Sequence, residues 1–338
     1  MTRGAWLIIA LAACGRGAAP SSTSGASGAE ASAPGAAGRV VRASFHSDAL
    51  GADKAYVVYL PSGYDAAPDR RYPTIYMLHG LGGTETDWIE SGALDRAADG
   101  LGLQAIVVMP DGDAGFYVDG ATAEDPATCA RRGNPFGEEP AATYCVATPR
   151  YERYMTRDLI SHVDATYRTL DARDARGIGG LSMGGFGALT LAMRHRDTFA
   201  AAASHSGVDS LFYAGPIPYQ RGKVVVLEDV TAWGKDIGAL GAYVRGIFGA
   251  DRANWRDHDP VTLAQGLSPG DLALYLDCGT DDGFQLHNHA QYLHDVLLDR
   301  GIAHDWYLGP GRHDFGFWKS RIDDSLGFFA RALTPASP

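Results

Sequence analysis

Short apolar runs without polar alternation recur along the chain between residues 55 and 308. Such runs are typical of strands that are covered on both faces, and so they predict a mainly parallel sheet. A further strand-like pattern begins at Val40. The predicted strands lie at residues 55–60, 74–78, 105–109, 175–179, 200–204, 272–276 and 306–308.

Helical periodicity separates these runs. Apolar residues recur on one side of residues 151–168 and of residues 285–300, and residues 186–193 are also helix-like. Strands that alternate with helices predict an α/β fold with helices on both faces of a mostly parallel sheet. Residues 113–150 and 209–262 break the alternation and are rich in Pro, Gly and aromatic residues. We expect them to be insertions over the functional edge of the sheet.

Composition and charge narrow the possible partners. A chain of 338 residues, of which 46% are hydrophobic, can bury one large core or two small ones. Its formal net charge of −11 argues against nucleic acid, because binding to phosphates needs a basic face. No run of about 18 apolar residues follows the N-terminal segment, so no membrane span is predicted there.

The N-terminal segment has the pattern of an export signal. Residues 1–13 contain a short basic region and an apolar region, and the residues before Cys14 read LAA. This resembles a bacterial lipobox, in which the cysteine is lipidated and anchors the protein to a membrane. The alternative is an ordinary signal peptide that ends near a cysteine. Residues 14–38 are mostly Gly, Ala, Ser and Pro and predict a flexible tether. Residues 39–333 then form a single domain.

The three later cysteines divide into a pair and a single residue. Cys129 and Cys145 lie in a polar segment and close a short loop, so we expect them to form a disulfide in an oxidising compartment. Cys278 ends an apolar run, which predicts a buried thiol.

Residues 180–185 (GLSMGG) carry the strongest chemical signal. They follow a predicted strand and precede a helix-like stretch, which is the setting of a nucleophile elbow. Gly180 and Gly184 would relieve crowding in the tight turn around Ser182. The helix that follows directs its N-terminal amides towards the serine, which suits a developing oxyanion. Ser182 is therefore the candidate nucleophile.

A serine nucleophile needs a histidine base and an acid that orients it. Asp281 and Asp282 follow one predicted strand, and His313 follows the next. The chain order Ser, Asp, His is that of α/β-hydrolases. On these residues alone either aspartate remains a candidate, because Asp-Asp-Gly is also ordinary turn chemistry.

An oxyanion hole requires two backbone amides. One is expected from Met183, directly after the nucleophile, and the other from residues 79–83 (HGLGG), with Leu81 as the candidate. Glycines in that loop would let the backbone approach a substrate carbonyl closely.

The remaining histidines have weaker claims. His287 and His289 would face apart on a helix, so no metal site is predicted from them. His205 ends a predicted strand, where it could line the pocket, but a packed or solvated role is favoured.

Several motifs together resemble one family. The chain is similar to the esterase family of α/β-hydrolases that includes esterase D/S-formylglutathione hydrolases, feruloyl esterase modules and the mycolyltransferases of the antigen 85 group. In that family the acid occupies a Gly-x-x-Asp turn, and the resemblance therefore places it on Asp282. It also implies an α/β-hydrolase fold and no cofactor. The matching pieces are residues 59–64, 78–83, 109–112, 180–185 and 311–315, with Trp318.

The resulting hypothesis is an exported serine esterase, acting on small or polysaccharide-linked acyl esters. One alternative is an acyltransferase that forms the same acyl-enzyme but passes the acyl group to an alcohol instead of water. Another is a non-catalytic binding protein on a hydrolase scaffold. The segment around Cys129 and Cys145 and residues 209–262 match no substrate-specific pattern, so the acyl and alcohol groups stay open.

Overall fold

An eight-stranded sheet organises the described part of the chain, which comprises residues 37–122, 125–134, 136 and 140–335 of a computed structural model. The order of the strands across the sheet is β1-β2-β4-β3-β5-β6-β7-β8. The strands are β1 (Arg39–Ser47), β2 (Ala52–Leu60), β3 (Thr74–Leu78), β4 (Ile106–Pro110), β5 (Arg176–Leu181), β6 (Ala201–His205), β7 (Ala273–Gly279) and β8 (Asp305–Gly309).

Strands β3 to β8 run parallel, and β1 and β2 complete the sheet in antiparallel pairing. All six parallel strands end at one edge, which we call the carboxyl edge. Tyr56 pairs with Pro110 at the end of β4, and Ala52 pairs with Ser47 at the end of β1. The β1–β2 turn therefore also lies at the carboxyl edge, where open α/β sheets present their functional side chains.

Helices cover both faces of the sheet. They are α1 (Asp87–Glu90), α2 (Leu94–Gly100), α3 (Pro126–Arg132), α4 (Ala141–Tyr144), α5 (Tyr151–Arg153), α6 (Ile160–Thr166), α7 (Met183–Arg194), α8 (Gly238–Phe248), α9 (Arg252–Arg256), α10 (Pro260–Ala264), α11 (Leu286–Asp299) and α12 (Phe315–Ala332). A π-helical segment, Tyr154–Leu159, joins α5 to α6. None of the helices in the described residues is long and apolar enough to cross a bilayer.

The apolar core forms a layer on each face of the sheet. Alternate residues of the central strands point to opposite layers, as Ile75 and Tyr76 of β3 do. One layer packs under α6, α7 and α11, and the other packs under α2 and α12. Because both faces are buried, the strands read as continuous apolar runs, and the prediction of a mostly parallel sheet between two helical layers is confirmed.

Both segments that interrupt the alternation start at the carboxyl edge. Residues 113–150 follow β4 and contain α3 and α4, and residues 209–262 follow β6 and contain α8 to α10. The rings of Phe136 and Tyr243, one from each segment, lie 4.9 Å apart. The expected leader (residues 1–13), Cys14 and most of the tether (residues 14–38) lie outside the described residues.

Candidate active site

Ser182 occupies a sharp turn between β5 and α7. Its backbone has φ 54° and ψ −115°, a conformation that costs a non-glycine residue energy and that clusters at functional sites. A Cβ on Gly180 would stand 2.5 Å from the carbonyl carbon of Gly184, and one on Gly184 would stand 2.5 Å from the Leu78 oxygen. Only glycine fits at either position, so this local sequence forces the serine to the top of the turn.

His313 lies between the hydroxyl of Ser182 and the carboxyl group of Asp282. Its Nε2 is 2.9 Å from Ser182 Oγ, and its Nδ1 is 2.7 Å from Asp282 Oδ2. The histidine follows β8 and the aspartate follows β7, so parallel neighbours bring them together at the carboxyl edge. Asp282 is buried, whereas the imidazole keeps 11% of its side-chain surface exposed.

The charge of Asp282 fixes the tautomer of His313. Burial alone would raise the pKa of this carboxyl, but the hydrogen bond and charge of His313, with amides of Phe284 and Leu286, hold it below its usual range. An ionised carboxylate only accepts hydrogen bonds, so Nδ1 carries the proton and Nε2 offers its lone pair to Ser182. Asp281 is exposed, and its backbone N–H donates to Gly311 O.

The loop expected to supply an oxyanion amide lies directly beside the nucleophile. A Cβ on Gly80 would stand 3.4 Å from Ser182 Cβ, which brings the backbone before Leu81 next to the serine. Met183 begins α7 and is buried, so its amide belongs to the first turn of that helix. Both candidate amides therefore come from residues adjacent to the Ser182 turn.

The side chain of His79 connects the loop of residues 79–83 to Gly112. The backbone N–H of Gly112 donates to its Nε2 at 2.9 Å, and its Nδ1 donates to Gly80 O at 2.8 Å. Because an N–H can only donate, the Gly112 contact fits the tautomer that carries its proton on Nδ1, while Asp111 raises the pKa of His79 against the effect of burial. The hydroxyl of Tyr117 donates to the His79 carbonyl at 3.0 Å.

A buried lysine that the sequence analysis missed supports the same region. Lys54 Nζ lies 2.5 Å from Asp111 and 2.7 Å from Asp113, and Tyr151 donates to Asp113 at 2.6 Å. Burial alone would lower the pKa of Lys54, but the two carboxylates outweigh it and raise that pKa. Burial and repulsion by Asp111 raise the pKa of Asp113 to about 6. The only signal was a lysine directly before the apolar run at residues 55–60.

The other candidate residues lie apart from the serine. Cys129 and Cys145 are joined by a disulfide with a Cα–Cα distance of 5.6 Å. Cys278 is a buried free thiol whose Sγ lies 3.7 Å from Asp282 Oδ2. His289 is buried and its Nδ1 bonds Ser210 O.

Within residues 37–122, 125–134, 136 and 140–335, no group of three or more His, Cys, Asp or Glu side chains is arranged to hold a metal ion.

Comparison with known proteins then identifies the family. The model of the family described as "Putative esterase" matches residues 47–329, which include the Ser182 turn and the loops of Asp282 and His313. The chain belongs to this esterase family. The predicted resemblance to this family is confirmed.

Individual relatives agree with this assignment. Esterase Rv1288 of Mycobacterium tuberculosis is 31% identical over 311 residues, which cover 87% of this chain and 59% of the relative. The chain thus spans less than two thirds of that relative's length.

Solved structures share the fold. An S-formylglutathione hydrolase from Agrobacterium tumefaciens superposes with a TM-score of 0.65 at 22% identity, covering 90% of this chain and 98% of that one. A ferulic acid esterase superposes with a TM-score of 0.64 at 22% identity, covering 88% and 99%. The predicted α/β-hydrolase fold is confirmed.

Proposed function

We propose that this esterase-family protein hydrolyses carboxylic esters through an acyl-enzyme formed on Ser182. The observation that carries the proposal is the position of His313, which is 2.9 Å from the serine hydroxyl and 2.7 Å from Asp282. Such a chain of nucleophile, base and orienting acid recurs on unrelated folds because each contact serves one chemical need.

The geometry supports a two-stage reaction. His313 Nε2 takes the hydroxyl proton as Ser182 Oγ forms a bond to the ester carbonyl carbon. We assign the amides of Met183 and Leu81 to the resulting oxyanion. When the intermediate collapses, Nε2–H gives its proton to the departing alcohol. Water then attacks the acyl group, His313 takes the water's proton, and the acid leaves as the proton returns to Ser182 Oγ.

Asp282 has an electrostatic role in this scheme. Its carboxylate keeps Nδ1 protonated in the resting enzyme and stabilises the imidazolium that forms when Nε2 takes a proton. Because its pKa lies below the usual range, it stays ionised throughout the neutral and mildly acidic range.

We further propose acyl esters that are small or linked to polysaccharide as substrates. One structural neighbour is named a ferulic acid esterase, which supports an ester of a small acid as the substrate. Export with a lipid on Cys14 would place the enzyme outside the cytoplasm. Replacement Cys14→Ser should release the protein from the membrane fraction, and unchanged membrane retention would contradict the anchor.

Replacement of Ser182 tests the reaction itself. Ser182→Ala should lower kcat for a p-nitrophenyl acyl ester at least about a thousandfold and abolish labelling by a fluorophosphonate probe. Ser206→Ala is a matched control. Ser206 also directly follows a strand and has a positive φ, but its hydroxyl accepts a hydrogen bond from Trp318 instead of contacting a catalytic histidine. Wild-type turnover by a folded Ser182→Ala variant would refute the proposal. Transfer of the acyl group to an added alcohol in preference to water would identify an acyltransferase instead.

A further inference from the structure

A groove beside β1 carries three arginines. Its volume is about 760 Å³, and Arg150, Arg153 and Arg157 line it together with Phe45 and His162. We call it the arginine groove. Arg153 and Arg157 lie four residues apart at α5 and the π-helical segment, and Arg150 immediately precedes α5. The guanidinium groups therefore follow one another along the wall and do not converge on a point.

These arginines have no anionic partner among the residues that the structure describes. All three are exposed, and none forms an ion pair or a side-chain hydrogen bond with any other residue that the structure describes. Asp48 and Asp158 also line the groove, and the Asp158 carboxylate already accepts bonds from Ser47 and Ala49. Three guanidinium groups outnumber the two carboxylates, so the groove keeps a positive charge that an external anion would offset.

One side of the groove is aromatic. The rings of Phe45 and His162 stack 4.5 Å apart at an interplanar angle of 9°, and Tyr154 also stacks on Phe45 at 6.0 Å. The half-buried ring of His162 is therefore the aromatic surface left for a ligand. His162 Nε2 bonds the hydroxyl of Tyr56 at 2.8 Å, which fixes the ring. Burial lowers the pKa of His162, so the imidazole is neutral at pH 7 and the arginines supply the positive charge.

Its place in the fold connects it to the catalytic edge. Phe45 lies near the end of β1, and the β1–β2 turn lies at the carboxyl edge with Ser182. β1 is four strands from β5, which at about 4.8 Å per strand gives a separation on the order of 20 Å. An extended polymer can span that distance.

We propose that the arginine groove binds the carboxylates of an acidic polysaccharide whose ester groups reach Ser182. This inference rests on the proposed esterase function and adds its substrate class. Arginines spaced along a wall suit charges repeated along a chain, and the ring of His162 suits the apolar face of a sugar. An anionic membrane fits less well, because the charges line a groove of about 760 Å³ and a membrane surface is flat.

Binding can be tested without catalysis. The probe is a de-esterified oligogalacturonate, titrated into the full-length protein and followed by calorimetry at low and at 0.3 M salt. The variant Arg150→Ala/Arg153→Ala/Arg157→Ala should weaken binding at least about tenfold, since it removes three charge-assisted contacts. The control Arg96→Ala/Arg256→Ala/Lys319→Ala removes the same charge at exposed sites elsewhere and should bind as the wild type does. Salt should weaken wild-type binding more than binding by the groove variant.

The outcomes separate this inference from the esterase proposal. Turnover of a p-nitrophenyl ester should be equal in all three proteins, while KM for an acylated oligogalacturonate should rise only in the groove variant. Absence of oligogalacturonate binding by the wild type, or equal losses in the groove and control variants, would overturn the inference. The inference would also be overturned if the wild type, but not the groove variant, bound vesicles containing phosphatidylglycerol and neither protein bound oligogalacturonate. None of these results would affect the Ser182 test.

Discussion

Two of the His–Asp pairs near the carboxyl edge have the same contact but different surroundings. His313 Nδ1 is 2.7 Å from Asp282, and His205 Nδ1 is 2.8 Å from Asp277. The second imidazole nitrogen of His313 faces Ser182, and the ring is partly exposed. The second nitrogen of His205 has no hydrogen-bond partner among the described residues, and the ring is fully buried.

The surroundings explain the difference. His205 packs against the rings of Trp88 and Tyr275, and Asp277 also accepts a bond from the Tyr275 hydroxyl. A nucleophile or substrate has no route to that imidazole. A histidine that is held by a carboxylate can act as a base only where its other ring nitrogen contacts a hydroxyl group and is open to solvent.

Replacing the two histidines should give the largest contrast. His313→Ala should lower kcat for a p-nitrophenyl ester by about 10⁴-fold or more, because no group remains to take the Ser182 proton. His205→Asn should leave kcat within about threefold and lower the free energy of unfolding by about 2 kcal/mol, because packing against Trp88 is lost. Steady-state kinetics and urea unfolding measure the two effects.

Correct folding of both variants is the control for this contrast, and circular dichroism verifies it. If folded His205→Asn lost as much activity as His313→Ala, the two pairs would not differ in function as proposed.

Replacing the two aspartates should give a smaller contrast of the same kind. Asp282→Asn should lower kcat by about 10³- to 10⁴-fold, because an amide that donates to Nδ1 favours the wrong tautomer of His313. Asp277→Asn should leave kcat nearly unchanged and cost stability, since Tyr275 and His205 would lose an ionic acceptor.

Kinetics across pH 5–9 distinguish an effect on the base from an effect on folding. Equal turnover by Asp282→Asn and wild type would show that Asp282 does not orient His313. A loss confined to Asp277→Asn would reverse the assignment of the two pairs.

Much of the fold could be predicted because the central strands bury both faces. The continuous apolar runs predict both ends of β3 (residues 74–78) correctly, and they predict the ends of β4 and β6 with an error of one residue. The pairing of β1 and β2 could not be predicted, because antiparallel neighbours and strand order depend on contacts between distant parts of the chain. Helix α2 was missed as well, since seven residues carry little periodicity.

In the candidate site too, local motifs could be predicted from the sequence and long-range contacts could not. The glycines around Ser182 reveal a turn that only a few residues can form, and the loops of Asp282 and His313 follow predicted strands. Lys54 and Asp113 were not predicted as partners, because 59 residues separate them and no local pattern records their contact. The choice between Asp281 and Asp282 needed the family resemblance, since adjacent residues of one turn differ only in which side chain points inward.

Asp209 is a buried carboxyl group without a histidine partner, and its replacement should have the smallest effect, confined to the pH dependence of the free energy of unfolding. Its Oδ1 accepts a bond from Ser204 at 2.8 Å, and its Oδ2 has no hydrogen-bond partner in the described residues. Burial, with the nearby charge of Asp277, raises its pKa to about 7, whereas the imidazole beside Asp282 lowers the pKa of that group. A raised pKa means that the folded protein binds this proton more tightly than the unfolded chain does. The resulting stability is fully present below about pH 4 and is lost as the pH rises to about 7.

Asp209→Asn keeps the acceptor for Ser204 and removes the titration. The free energy of unfolding of the wild type, measured by urea at pH 5, 6, 7 and 8, should fall relative to that of the variant by up to a few kcal/mol, since one pKa unit corresponds to about 1.4 kcal/mol. The difference should level off above about pH 7, where Asp209 is ionised in both states. Taking the difference between the two proteins cancels the titration of every group that they share. A difference that stayed constant from pH 5 to pH 8 would mean that Asp209 does not titrate in this range, and that its burial does not distinguish it from the carboxyl groups held by histidines.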